Sequence, residues 1–282
     1  MSTAAIGQGH VVSSQGGITV RRMDFDFPDE IPRFWFDGNP FLTSMMAALS
    51  ISFPAGERYF IDSVRHFQAQ ITDPELQARI RAFMGQEANH TREHITLNAF
   101  LERKGFPAKA MEQRVHDRIA YIKGKSSPEA NLARTVALEH FTAIMAKGFM
   151  DHPEFLQKMD PALASLWAWH AIEEVEHKSV AFDVYKATVD DESLRVKVMM
   201  QVTFFFLMLN MVRTLRMMHA TGSLLSPRAW VKGLNFLWGK PGVFRHIIPD
   251  YLAFYRKDFH PSQQRDSLFA EAIQRRYLGE AR

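Results

Sequence analysis

The sequence predicts an all-α fold built from a bundle of long helices. Two observations point there. Extended apolar-periodic stretches open on proline-marked capping signals, and no run of alternating β-branched residues with hairpin turns competes with them. Asn39-Pro40 opens a first helix over residues 41–53. Pro54 is expected to interrupt it before helix resumes over 56–70. Thr72-Asp73-Pro74-Glu75 starts a second, running to about residue 104, where Gly105 and Pro107 stop it. A shorter helix covers 108–122. Ser126-Ser127-Pro128-Glu129 starts another to about 150, and Asp160-Pro161 one ending near 189. A helix over 195–219 follows, then shorter pieces over 228–237, 243–255 and 262–277.

Ahead of these helices, residues 1–17 are small and polar and read as a flexible tail. They lack the basic and apolar regions of a secretory signal. The aromatic, proline-marked stretch to Pro40 reads as extended over the main body. The expected organisation is a flexible or extended segment over 1–35 and a single helical metal-binding domain over 36–282.

Composition bounds the function. The 282 residues carry 34 Lys and Arg against 31 Asp and Glu, a net charge of +3, so no strong nucleic-acid footprint is expected. Cysteine is absent. That excludes disulfides, thiolate zinc sites, iron–sulfur clusters and a cysteine nucleophile, and it suits a reducing, cytoplasmic compartment. Nor is there a glycine-rich phosphate cradle or a serine nucleophile elbow.

The chemistry gathers in two windows. In the first, Glu87, His90 and His94 lie at about 0°, −60° and −20° around a helix turning ~100° per residue. In the second, His170, Glu173, Glu174 and His177 lie at about 0°, −60°, +40° and −20°, while Glu176 points away. Each window holds a Glu-x-x-His, Glu87 with His90 and Glu174 with His177. Each is preceded by a helix with an apolar-flanked glutamate, Glu57 and then Glu139. An unpartnered carboxylate in such surroundings is costly. The order Glu, Glu-x-x-His, Glu, Glu-x-x-His is that of ferritin-like dinuclear carboxylate bundles, so the architecture expected is a ferritin-like four-helix bundle with additional C-terminal helices.

On this reading Glu57, Glu87, His90, Glu139, Glu174 and His177 hold two divalent metal ions, with Glu87 and Glu174 bridging. Oxygen-rich ligation with imidazole and no sulfur favours iron, with manganese or zinc as alternatives. His94 and His170 are further ligands or hydrogen-bonded supports, the latter preferred, and Glu173 competes with Glu174. A buried Glu–His/Arg hydrogen-bond network, with Arg58, Arg65 or Arg134 as partner, is the structural alternative. His140 reads as structural, and His66, His116, His219 and His246 as core histidines. Arg92, Glu93 and Glu102 read as solvated helix charges.

These residues carry a family resemblance. Over residues 27–255 the chain resembles a bacterial family labelled "predicted metal-dependent hydrolase". The carriers are Phe53-Pro54-Ala55-Gly56-Glu57, Gln86-Glu87 with His90, Arg92-Glu93-His94, Leu138-Glu139-His140-Phe141-Thr142, Trp169-His170-Ala171-Ile172-Glu173-Glu174, and Glu176-His177-Lys178-Ser179-Val180-Ala181-Phe182-Asp183. The resemblance implies a metal-binding helical protein.

The function expected from the ligand pattern is a di-iron enzyme using dioxygen to oxidise or hydroxylate an apolar small molecule or acyl chain, with an electron donor as partner. The alternative is a metal-dependent hydrolase using a metal-bound hydroxide. A second alternative is non-catalytic metal binding. The apolar stretch 198–212, flanked by Arg195, Lys197, Arg213 and Arg216, is short for a bilayer span. It reads first as a buried core helix or a homodimer interface. Its alternatives are contact with a membrane surface, peripheral to the inner membrane, or the wall of a tunnel for a greasy substrate.

Overall fold

A computed structural model describes residues 9–279. The elements are β1 (His10–Gln15), β2 (Ile18–Arg22), α1 (Pro40–Gln68), α2 (Pro74–Arg103), α3 (Ala108–Lys125), α4 (Pro128–Asp151), α5 (Glu154–Gln157), α6 (Pro161–His177), α7 (Val180–Thr188), α8 (Glu192–Ala220), α9 (Pro227–Leu234), α10 (Val243–His246), α11 (Ile248–Ala253) and α12 (Ala270–Tyr277). The fold is all-α with one two-stranded hairpin.

The helix starts share one device. Asn39, Asp73, Ser127 and Asp160 each accept hydrogen bonds from first-turn backbone amides, and each is followed by a proline whose missing N–H costs nothing there. The functional bundle consists of α1, α2, α4 and α6. The five residues between α1 and α2 fold the second back along the first, and α4 pairs with α6. α1 also meets α4, and α2 meets α6. α3 and α8 lie across the outside, α8 against both α1 and α4.

Several sequence expectations are corrected. α1 does not break at Pro54. Proline cannot donate to the Ser50 carbonyl four residues earlier, and Asn98 of α2 supplies the missing donor, its Nδ2 lying 3.4 Å from that oxygen. Residues 10–22 form a hairpin rather than part of a flexible tail; residues 1–8 lie outside the described region. Gly16 and Gly17, at φ 58° and 78°, make a two-residue turn between Gln15 and Ile18. Ile18 and Val20 are buried, and the hairpin packs on α2 and α6. The helix expected to reach residue 189 stops at His177 and resumes as α7. Lys178 between them reaches out to Gln264 and Asp266, and Ser179 receives Arg79. Of residues 262–277, only a 3₁₀ turn at Pro261–Gln263 and α12 are helical.

His66, His116, His219 and His246 are exposed rather than in the core. Glu93 is not solvated. It is buried, accepting from the Phe25 amide at 3.0 Å and pairing with Arg92. Nor is α8 a fully buried helix. Val198, Met199, Val202, Thr214, Met217 and Met218 face the core, while Met200, Phe204, Leu207 and Met211 are exposed. Among the described residues it is the one helix long and apolar enough to cross a membrane.

Candidate metal centre

Four helices deliver seven side chains to one buried point. Glu57 comes from α1, Glu87 and His90 from α2, Glu139 from α4, and His170, Glu174 and His177 from α6. None is more than 3% exposed. His177 Nε2 lies 3.2 Å from Glu87, 3.3 Å from Glu139 and 3.6 Å from Glu174. His90 Nδ1 lies 4.0 Å from Glu87 and 3.6 Å from Glu174. His170 Nε2 lies 2.9 Å from Glu174 Oε1. Three overlapping donor groups result: Glu57 with His90 and His170, Glu87 with His90 and Glu174, and Glu87 with Glu139 and His177. Glu87 is shared between two groups, and Glu174 touches all three imidazoles.

Buried polar atoms are nearly always hydrogen-bonded. Here both oxygens of Glu57, Glu87 and Glu139, Oε2 of Glu174, Nδ1 of His90 and Nε2 of His170 and His177 have no hydrogen-bond partner among the described residues. All face the same point. Such a concentration of unsatisfied donor atoms is what a cation site requires.

The far side of each imidazole is held. His90 Nε2–H donates to Glu173 at 3.1 Å. His177 Nδ1–H donates to Gln86 Oε1 at 2.8 Å. The third case follows from a chain of partners. The Ser50 hydroxyl donates to Asn98 at 2.7 Å, so Ser50 accepts from His94 Nδ1 at 2.9 Å. His94 Nε2 therefore carries a lone pair and accepts from His170 Nδ1–H at 2.8 Å. In each ring the remaining nitrogen points toward the carboxylates, the orientation a metal ligand needs. Against its burial, Glu174 and Glu139 hold the His177 imidazole well above its usual range, so its Nε2 keeps a proton that a cation would displace. Pro54 is the local origin of the third case, because the carbonyl it leaves free helps to orient Asn98.

Electrostatics agree. Burial and the neighbouring Glu174 carboxylate push Glu57 well above the usual range; burial and Glu139 do the same to Glu87. Glu139 is pushed up to about 7 by burial. Burial would also raise Glu174, but His177 and His170 hold it well below the usual carboxylate range. Burial, together with the neighbouring His170, keeps His90 and His94 neutral. Four carboxylates this close cannot all ionise without cations, so metal entry is coupled to proton loss.

The sequence singled out all seven converging residues, together with His94 and Glu173. The structure sets the last two behind the imidazoles His170 and His90. His140 points away, packing on Phe254 and Phe259. Arg58, Arg65 and Arg134 do not serve the cluster; Arg134 binds Tyr59 and Asn131. The basic partner is Arg21 of β2, which the sequence reading missed. It lies 3.2 Å from Glu173 and 2.6 Å from Glu176. Gln86, named only within the family resemblance and given no role there, bonds His177, Glu176 and the Thr19 carbonyl. Both belong to contacts set by the hairpin, for which Gly16-Gly17 was the available signal.

Fold and centre together define an all-α protein with a buried carboxylate–imidazole site suited to divalent cations. The chain belongs to the family described as predicted metal-dependent hydrolase, whose model matches residues 19–265. No curated protein and no solved structure gives a significant match. The family marks the chain as a metal-dependent enzyme, and its description favours the hydrolytic alternative over the oxidation that the ligand pattern suggested.

Proposed function

We propose that this chain is a dinuclear metalloenzyme, with hydrolysis of an ester, amide or phosphate bond in an apolar substrate as its leading activity. The observation that carries the dinuclear reading is the set of inward-facing, unpartnered donor atoms on four helices. Glu57, His90 and His170 would hold one ion and Glu139 and His177 the other, and Glu87 and Glu174 would be ligands common to both. His170 is thus a seventh ligand, and His94 and Glu173 orient imidazoles. A bound divalent pair supplies Lewis acidity and an acidified water. The protein's own part is to fix the imidazole tautomers and keep the carboxylates desolvated. Leu49, Phe53 and Trp167 line a small apolar recess at His170 and Glu174.

The second reading is oxygen-dependent oxidation or hydroxylation. The donor set favours it: four carboxylates and three imidazoles without sulfur suit iron or manganese better than zinc. Elemental analysis of protein purified without added metal separates the readings. Zinc with steady esterase or phosphatase turnover supports hydrolysis. Iron, with an absorbance change when the reduced protein meets oxygen, supports oxidation. Absence of bound metal under every loading condition overturns both.

A further inference from the structure

A second, larger cavity lies on the outer side of the α1–α4 pair, roofed by α3 and α8. It encloses about 400 Å³, within the ~300–1,000 Å³ range of small-molecule sites. Its walls are mainly apolar, among them Phe60, Leu138, Val202, Phe206 and Leu209. Gly56, beside Glu57, opens the wall, since a Cβ built there meets nothing within 4 Å. At the inner end stands Phe53. Its ring packs 4.6 Å from both His94 and His170, and Phe53 and Thr142 also line the small recess at Glu174. One aromatic side chain thus separates the cavity from the metal centre.

The cavity is not neutral. Arg213 and Arg118 line it, and Arg118 stands 5.3 Å over the Phe205 ring. Arg213 donates to Ser52 Oγ at 2.9 Å, and neither it nor Arg118 nor Arg216 forms an ion pair among the described residues. Guanidinium groups beside an apolar chamber without carboxylate partners are matched by an anion attached to a hydrocarbon. Arg134, which also lines the cavity, already donates to Tyr59, Asn131 and Ser126.

We propose that this cavity binds a single-chain amphiphile with an anionic head, a fatty-acid-like carboxylate. Its head rests on Arg213 and Arg118, and its chain lies along the apolar wall of Phe60, Leu138, Val202, Phe206 and Leu209. An alkyl chain carries no ester, amide or phosphate bond, so as a substrate class for the metal centre this amphiphile rests on the second, oxidative reading, whereas the binding itself rests on neither. Burial and the neighbouring Arg118 and Arg216 charges push Arg213 down to about 10, so a bound anion relieves a repulsion already present.

The test is calorimetric titration of the intact chain with dodecanoate, dodecanol and dodecyltrimethylammonium, each below its aggregation concentration. Dodecanoate is expected to bind most tightly. Arg213→Gln should weaken dodecanoate about 10–100-fold, the range of one charge-assisted contact, and bring it level with dodecanol. Gly56→Leu, which fills the chamber without backbone strain, should abolish binding while circular dichroism stays unchanged. Equal binding of the neutral or cationic amphiphile, an unchanged Arg213→Gln, or no binding by the wild type overturns the proposal. Metal content measured on the same samples keeps the two readings apart. Lost binding with metal retained removes only the cavity proposal, and lost metal with binding retained removes only the dinuclear centre.

Discussion

Replacing Gln86 with leucine separates a metal centre from a mere buried hydrogen-bond network. Gln86 is fully buried. Its Oε1 holds His177 Nδ1 at 2.8 Å, and its Nε2 reaches Glu176 at 2.8 Å and the Thr19 carbonyl at 2.9 Å. Leucine keeps the bulk and removes the partner that fixes the His177 tautomer. Loss of such a support costs about 10–100-fold in metal affinity, or about 1.4–2.7 kcal/mol. With metal present in excess, that deficit subtracts from the metal-induced rise in melting temperature. At about 2 °C per kcal/mol for a chain of this size, the rise should shrink by about 3–5 °C. The metal-free variant should also lose about 1–3 kcal/mol from the abandoned hydrogen bonds. Thermal melts with and without added manganese, paired with chelator competition, measure both quantities. An identical drop in the two melts, with unchanged metal affinity, refutes the argument.

Other outcomes follow from the same geometry. Glu87→Ala and Glu174→Ala should lower metal content sharply, whereas Glu176→Ala should keep the stoichiometry, as elemental analysis of the three variants will show. The metal-free chain should lose stability as pH rises from about 4.5 to about 7. Glu139, with its carboxyl pushed up to about 7 by burial, keeps a proton in the folded chain that the unfolded chain has already released. Metal addition should reverse that loss, so the metal-induced increase in melting temperature should grow across the same interval. Trp169 is fully buried and packs 4.7 Å from the His90 ring; Trp169→Ala should cost about 3–5 kcal/mol in denaturant unfolding.

The parts legible in the sequence were those set by local rules. The capping prolines, the helical stripes of Glu87-His90 and Glu174-His177, and the apolar flanks of Glu57 and Glu139 all repeat within a few residues of chain. What escaped depends on distant partners. Pro54 reads as a break until Asn98, on the next helix, takes over the orphaned Ser50 carbonyl. Arg21 reads as an ordinary basic residue until the hairpin carries it to Glu173 and Glu176, more than 150 positions away. Glu93 reads as solvated until the Phe25 amide covers it. The standing of His170 was open for the same reason: its tautomer is decided by Ser50, Asn98 and His94, on two other helices. The exposed histidines went the other way, since a ring at the edge of an apolar stripe is assigned to the core by periodicity alone.

The most direct measurement is the metal content of the purified wild-type chain beside its Glu174→Ala variant, taken by elemental analysis after loading with iron or manganese under reducing conditions. Two equivalents per wild-type chain, falling below one in the variant, is the result that a centre bridged by Glu87 and Glu174 requires. A wild type that retains no metal, or a variant that retains as much as the wild type, contradicts it.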